Sequence, residues 1–247
     1  MFFSMLFITL ILSGCLNMAG RLFTVREQMC EFDDYFSIQI DQGVEITLFE
    51  PVLLEKDVYL VMDAKPTSRF ESAEGVVASY VFAQLQLTAD GQRTITDEEV
   101  EFKFLFIPTD NGLALSEIRS SEIPEEILES ALPVVANSAE MAQQACHFSI
   151  NPLSTSVMLE IDHDMLALLP ERQTLVSWLG SPTEPGDSIG DLSYEFQLKG
   201  EQADSGIARI DMDYDHEGNH PLIIEASFAR YSASIDVPEG TLRMKLY

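Results

Sequence analysis

A pattern near the start of the chain recurs about one hundred residues later, and that recurrence limits the possible folds more than any other feature. Gln28-Met29-Cys30-Glu31-Phe32 is answered by Gln144-Ala145-Cys146-His147-Phe148, a displacement of 116. At the same displacement Glu55 to Thr67 lies on Glu171 to Thr183; each stretch opens with Glu and a basic residue and closes with Pro-Thr. Tyr80-Val81-Phe82 then answers Tyr194-Glu195-Phe196, and "FIPTDNGLALSEI" answers "DYDHEGNHPLIIEA" with Gly112 set against Gly218. Matches in one order, with offsets that drift as loops lose residues, are the mark of an internal repeat.

The elements read the same way in both copies. Helices are expected near 54–63 and 170–179, the second ending at Leu179-Gly180, a good stop signal. A further helix carries each cysteine, in the second copy after Pro133. Strands are expected at "FSIQI", "VEITLF" and "STSVMLEI", then at about 76–88, 99–107 and 113–119, and again at about 191–199, 206–214 and 221–231. Alternation places Phe102, Phe104 and Phe106 on one face, with Glu101 and Lys103 on the other. Likewise Ala208, Ile210, Met212 and Tyr214 oppose Arg209, Asp211 and Asp213. The expected fold class is α+β: two tandem repeats of helix, strand, helix and three antiparallel strands, over 26–121 and 122–247, with helices packed on one face of the sheet. The second repeat includes a linker helix and a C-terminal extension.

"HEGNH", His216 to His220, has the letters of a zinc-protease signature. Two histidines four apart share a metal only when a helix stacks them on one face. Here Gly218 and Asn219 lie between them, Pro221 follows, and alternating strands lead in and out, so Asp215 to Asn219 is expected to be a hairpin turn. Asp211, Asp213, Asp215 and Glu217 resemble a calcium loop but lack its grammar, with His216 where Gly is needed and Leu222 where Glu is needed. Aspartates on the solvent face of a hairpin account for them. Trp178 fits the inner face of its helix beside Leu175 and Leu179. No catalytic residue, metal ligand or cofactor is assigned; His147 and His163 have no partner that spacing identifies.

The chain has 41 acidic and 14 basic residues, a net charge of −27. Such a balance excludes nucleic acid as a partner, since phosphate backbones need Lys and Arg in excess. It also opposes adsorption of the folded part to an anionic membrane. With 46% hydrophobic residues the chain can build a substantial core.

Residues 1–14, "MFFSMLFITLILSG", hold no charged side chain, and they are too short for a permanent span of about 20 residues. They read as the apolar core of an export signal. Leu12-Ser13-Gly14-Cys15 then resembles the lipobox of bacterial lipoproteins. That resemblance implies cleavage before Cys15, a diacylglycerol on its thiol and acylation of the new amino group, which together give firm anchoring. Residues 15–25 become a linker. Leu16 and Asn17 follow the cysteine, and the absence of Asp at the position directly after it implies, by the family's sorting habit, the outer membrane, on its periplasmic face. Cys30 and Cys146 remain, and an even pair in an oxidising compartment reads as one disulfide; two buried free thiols are the alternative.

Over about 164–231 the chain resembles the small accessory lipoprotein of the β-barrel assembly machinery, the SmpA/OmlA-type family. The resemblance rests on "LVSWLGSPT", "LSYEFQL" and "IDMDYDHEGNHPLIIEA", with Tyr214, Asp215 and Gly218 in the family's hairpin. Two such units in tandem also resemble the β-lactamase-inhibitor-protein-like fold. Both families act by binding proteins, so the resemblance implies a non-enzymatic, lipid-anchored envelope protein that binds or scaffolds a protein partner. A periplasmic carrier of an apolar ligand, motivated by the phenylalanine-rich strands, is the alternative; a hydrolase ranks last.

Overall fold

The computed structural model describes residues 20–21, 24–25, 27–40, 43–121, 156–161, 163–167, 169–185, 191–200, 206–217, 219–229 and 231–246. In chain order the first half holds α1 (Phe32–Tyr35), β1 (Phe36–Ile40), β2 (Gly43–Leu48), α2 (Glu55–Met62), β3 (Ser68–Glu71), β4 (Val76–Leu87), β5 (Arg93–Thr109) and β6 (Gly112–Ser121). The second half holds β7 (Ser156–Glu160), α3 (His163–Leu166), α4 (Arg172–Leu179), β8 (Glu184–Pro185), β9 (Leu192–Leu198), β10 (Ile207–Tyr214), β11 (Pro221–Phe228), β12 (Tyr231–Asp236) and β13 (Thr241–Leu246).

All thirteen strands among the described residues belong to one antiparallel sheet, with the order β1-β2-β6-β5-β4-β9-β10-β11-β12-β13-β7, while β3 pairs with β4 and β8 with β9. This corrects the α+β expectation. The chain is mostly antiparallel sheet, and the helix layer was overestimated. The physical reason is length. α2 and α4 have eight residues each, about 12 Å of helix at 1.5 Å per residue, enough to cover a patch of such a sheet but not a face. Strand content was also underestimated, because β5 runs 17 residues and the C-terminal tail contributes β12 and β13.

The two halves join edge to edge. β4 pairs with β9, Phe82 opposite Leu198 and Leu85 opposite Glu195. Outward from this seam both halves continue through a three-stranded meander, β4-β5-β6 on one side and β9-β10-β11 on the other. The halves then diverge. β2 lies directly on β6, whereas the β12–β13 hairpin separates β11 from β7.

Alternation gives the sheet one apolar face. Across the seam that face carries Tyr80, Phe82, Leu198, Tyr194 and Leu192, all buried. α2 packs Val58, Tyr59 and Met62 on the first part of it, against Val76, Tyr80 and Phe106. α4 packs Leu175, Val176, Trp178 and Leu179 on the second, against Tyr194, Met212 and Tyr214. Each large side chain so buried contributes about 1.5–3 kcal/mol. Local signals set the helix ends. Asp57 accepts a hydrogen bond from the Leu54 N–H at 2.9 Å, which satisfies one orphan donor at the start of α2, and Asp63 closes α2 with φ 48°. Gly180 ends α4 with φ 73°.

The apolar face is concave. β4 and β11 lie three strand steps apart, about 14 Å in a flat sheet at 4.8 Å per step. Yet the rings of Phe82 and Phe228 meet edge to face with centroids 5.3 Å apart. Side chains stand roughly perpendicular to a sheet, so this contact requires the strands between them to curl around the apolar side.

Candidate interaction surface

The other face is polar, and its rows follow from register. Glu45 on β2 faces Arg119 on β6, with Nε to Oε2 at 3.0 Å, and Arg119 also pairs with Glu117. Lys103 pairs with Glu101 at 2.9 Å, and Lys199 with Glu99. At the centre Glu195, 3% exposed, is held by Arg93, whose Nη2 donates to Oε1 at 3.1 Å, with Arg209 at 3.7 Å. Arg209 also donates to both oxygens of Asp211, at 2.9 and 2.7 Å. The exposed pairs each contribute little in water; their lattice fixes which charges remain unanswered.

Near the β10–β11 turn the charges do not balance. Ile223, 39% exposed, sits on this polar face between Asp213 of β10 and Asp236 of β12. The Asp213 carboxyl is held above its ordinary value, first by burial and then by Asp191, Glu225 and Asp211. An exposed apolar side chain is thus flanked by two carboxylates, one of which is crowded by three more.

Beyond it the sheet forms a groove of about 380 Å3 over β10–β13, with Ser227, Ser232 and Ser234 on its floor and Arg243 and Lys245 at one side.

The structure places the histidines of "HEGNH" in the turn between β10 and β11. His216 and His220 are exposed there. Asp215 shapes the turn: its Oδ1 accepts from the Asn219 N–H at 2.9 Å, and its own N–H donates to the His220 carbonyl at 3.0 Å. His163 is exposed on α3. Among the described residues no group of three or more His, Cys, Asp or Glu side chains is arranged to hold a metal. Cys30 is disulfide-bonded. The other two cysteines, Cys15 and Cys146, lie outside the described residues, as does His147. Sequence reading missed Ile223 and the serine groove. The signal was present in the tail, where Ser232, Ser234 and Asp236 alternate, as do Arg243 and Lys245.

No helix among the described residues is long and apolar enough to cross a membrane. The sequence matches no protein-family model, no curated protein and no solved structure.

Proposed function

We propose that the chain is a non-enzymatic binding component of the bacterial envelope, held by lipid on Cys15 at the periplasmic face of the outer membrane. It engages an envelope protein through Ile223 and the carboxylates around it. The observation that carries this reading is the crowding of Asp191, Asp211 and Glu225 on Asp213 beside an exposed isoleucine. A partner segment with basic residues flanking an apolar one relieves the like-charge repulsion and covers the isoleucine, a pairing that gives specificity as well as affinity. The resemblance of 164–231 to an accessory lipoprotein of barrel assembly supports the same class.

A photo-crosslinking residue at position 223 of the membrane-anchored protein tests it. The expected result is a discrete protein adduct that is lost when Asp213→Asn and Asp236→Asn are combined. Absence of any protein adduct at 223 overturns the reading.

One observation favours carriage of an apolar ligand instead, the concave apolar face marked by Phe82 and Phe228. Phe82 is 7% exposed, so at this point the bend is filled by the protein's own rings, and the polar face is preferred. Lipid that co-purifies stoichiometrically with the protein after delipidation of the anchor would reverse that preference.

A further inference from the structure

Two cations on the polar face stand apart from the rest. On that face Arg93, Lys103, Arg119, Lys199 and Arg209 each pair with a carboxylate. Arg243 and Lys245 are exposed on β13, and no ion pair joins either to another described residue. Neither is answered by a carboxylate of this face among the described residues, so the two neighbouring cations are placed to meet an anion from elsewhere. Register aims both at the serine groove. One row across the sheet reads Asp211, Glu225, Ser234, Arg243; the next reads Arg209, Ser227, Ser232, Lys245.

The rows define the ligand's chemistry. The β13 side offers only donors, so it takes an oxyanion. The floor offers the small hydroxyl side chains of Ser227 and Ser234, which can both donate and accept, beside Ser232. The far side offers the carboxylate of Glu225, an acceptor that takes donors from the ligand, since Asp211 beside it is already held by Arg209. No aromatic side chain lines the groove, so there is no platform on which a base would stack. A volume of about 380 Å3 lies within the range of small-molecule sites, about 300–1,000 Å3. We infer that the β10–β13 groove binds an anionic saccharide, with its phosphate or carboxylate at Arg243 and Lys245 and its hydroxyls over Ser227, Ser232 and Ser234, reaching Glu225.

Calorimetric titration of the full-length protein in detergent tests this with glucose 6-phosphate, galacturonic acid, glucose and inorganic phosphate. At least one anionic sugar should bind about tenfold or more tighter than glucose or phosphate alone, as expected for a charge-assisted contact added to hydroxyl contacts. Arg243→Gln combined with Lys245→Gln should reduce that binding to the level of glucose. Glu225→Gln should weaken the sugar without changing the affinity for inorganic phosphate. Lys103→Gln, on the same face in the other half, should change nothing. The inference falls if neither anionic sugar binds saturably, if inorganic phosphate binds as tightly as the sugars, or if Lys103→Gln weakens binding as much as the groove variants do.

Discussion

Thr67 and Thr183 make the same pair of hydrogen bonds on opposite sides of the seam. The Thr67 hydroxyl accepts from the Val81 N–H at 3.1 Å and donates to the Lys199 carbonyl at 3.2 Å. The Thr183 hydroxyl accepts from the Glu195 N–H at 2.9 Å and donates to the Leu85 carbonyl at 2.5 Å. Each threonine thus ties a strand of its own half to the strand of the other. Their surroundings differ: Thr67 is exposed and Thr183 is 1% exposed. Thr183→Val leaves a buried N–H and carbonyl unanswered and should cost about 1–3 kcal/mol, whereas water replaces the hydroxyl in Thr67→Val, which should cost less than about 1 kcal/mol. Urea unfolding followed by circular dichroism measures both. Equal losses would show that the seam does not depend on the buried bridge.

An ion pair helps to tie down the segment before β1. Arg21 donates through Nε and Nη2 to the two carboxylate oxygens of Asp57, both at 2.6 Å, while Asp57 also accepts from Leu54. Burial pushes the Asp57 carboxyl up, but these hydrogen bonds outweigh it and hold the group below its ordinary value. Its stabilisation is therefore complete above the unfolded value of 3.8 and is lost as pH falls through the lower folded value. Asp57→Asn should cost about 2–3 kcal/mol at neutral pH. The gap between the two proteins should narrow only in acid below that unfolded value. A gap that stays constant through the acid range would remove the ion pair from the account.

The seam also shows what could and could not be read from one sequence. The Tyr-x-Phe match set Tyr80 against Tyr194, and both hydroxyls donate to the carbonyl just past a helix, Tyr80 to Ala64 at 3.4 Å and Tyr194 to Gly180 at 3.1 Å. Strand alternation likewise placed Phe102, Phe104 and Phe106 opposite Glu101 and Lys103, and the turn at 215–220 followed from Gly and Pro chemistry. These are local properties, written in period and turn residues. The pairing of β4 with β9, and the insertion of β12–β13 between β11 and β7, join segments far apart in the chain. Periodicity says which side chains share a face but not which edge a strand will choose, so a single sheet was not foreseen. Ile223 was hidden for a related reason: in sequence it belongs to the apolar run "LIIEASF", and only its neighbours on β10 and β12 reveal its acidic setting.

Alkali should attack the same core. Tyr59, Tyr194 and Tyr214 are pushed up to about 12, chiefly by burial. A phenol whose folded value is raised stabilises the fold fully below its unfolded value of 10.0 and loses that contribution as pH rises through the folded one. Phenolate absorbance should therefore arrive in two stages, the second coinciding with loss of strand ellipticity. Ionisation of every tyrosine near the ordinary value with the sheet intact would contradict the packing of these rings.

The remaining prediction concerns the cysteines. Cys30 closes the helical turn that delivers the chain to α1 and β1. Its neighbour Gln28 is 5% exposed and donates to the Glu50 carbonyl at 2.9 Å. Cys30 is disulfide-bonded, and the chain holds three cysteines. If Cys15 carries lipid, as the lipobox implies, its thiol is consumed and the bond must run to Cys146. That bond closes a loop of more than one hundred residues, which the chain-entropy model values at about 4–5 kcal/mol. Peptide mass mapping of membrane-derived protein should recover a Cys30–Cys146 crosslink together with an acylated N-terminal peptide beginning at Cys15. The Cys146→Ser protein should unfold at a markedly lower urea concentration, and a reductant should bring the native protein to the same midpoint. A crosslink between Cys15 and Cys30 would break the prediction at both ends, because one thiol cannot hold both a lipid and a disulfide.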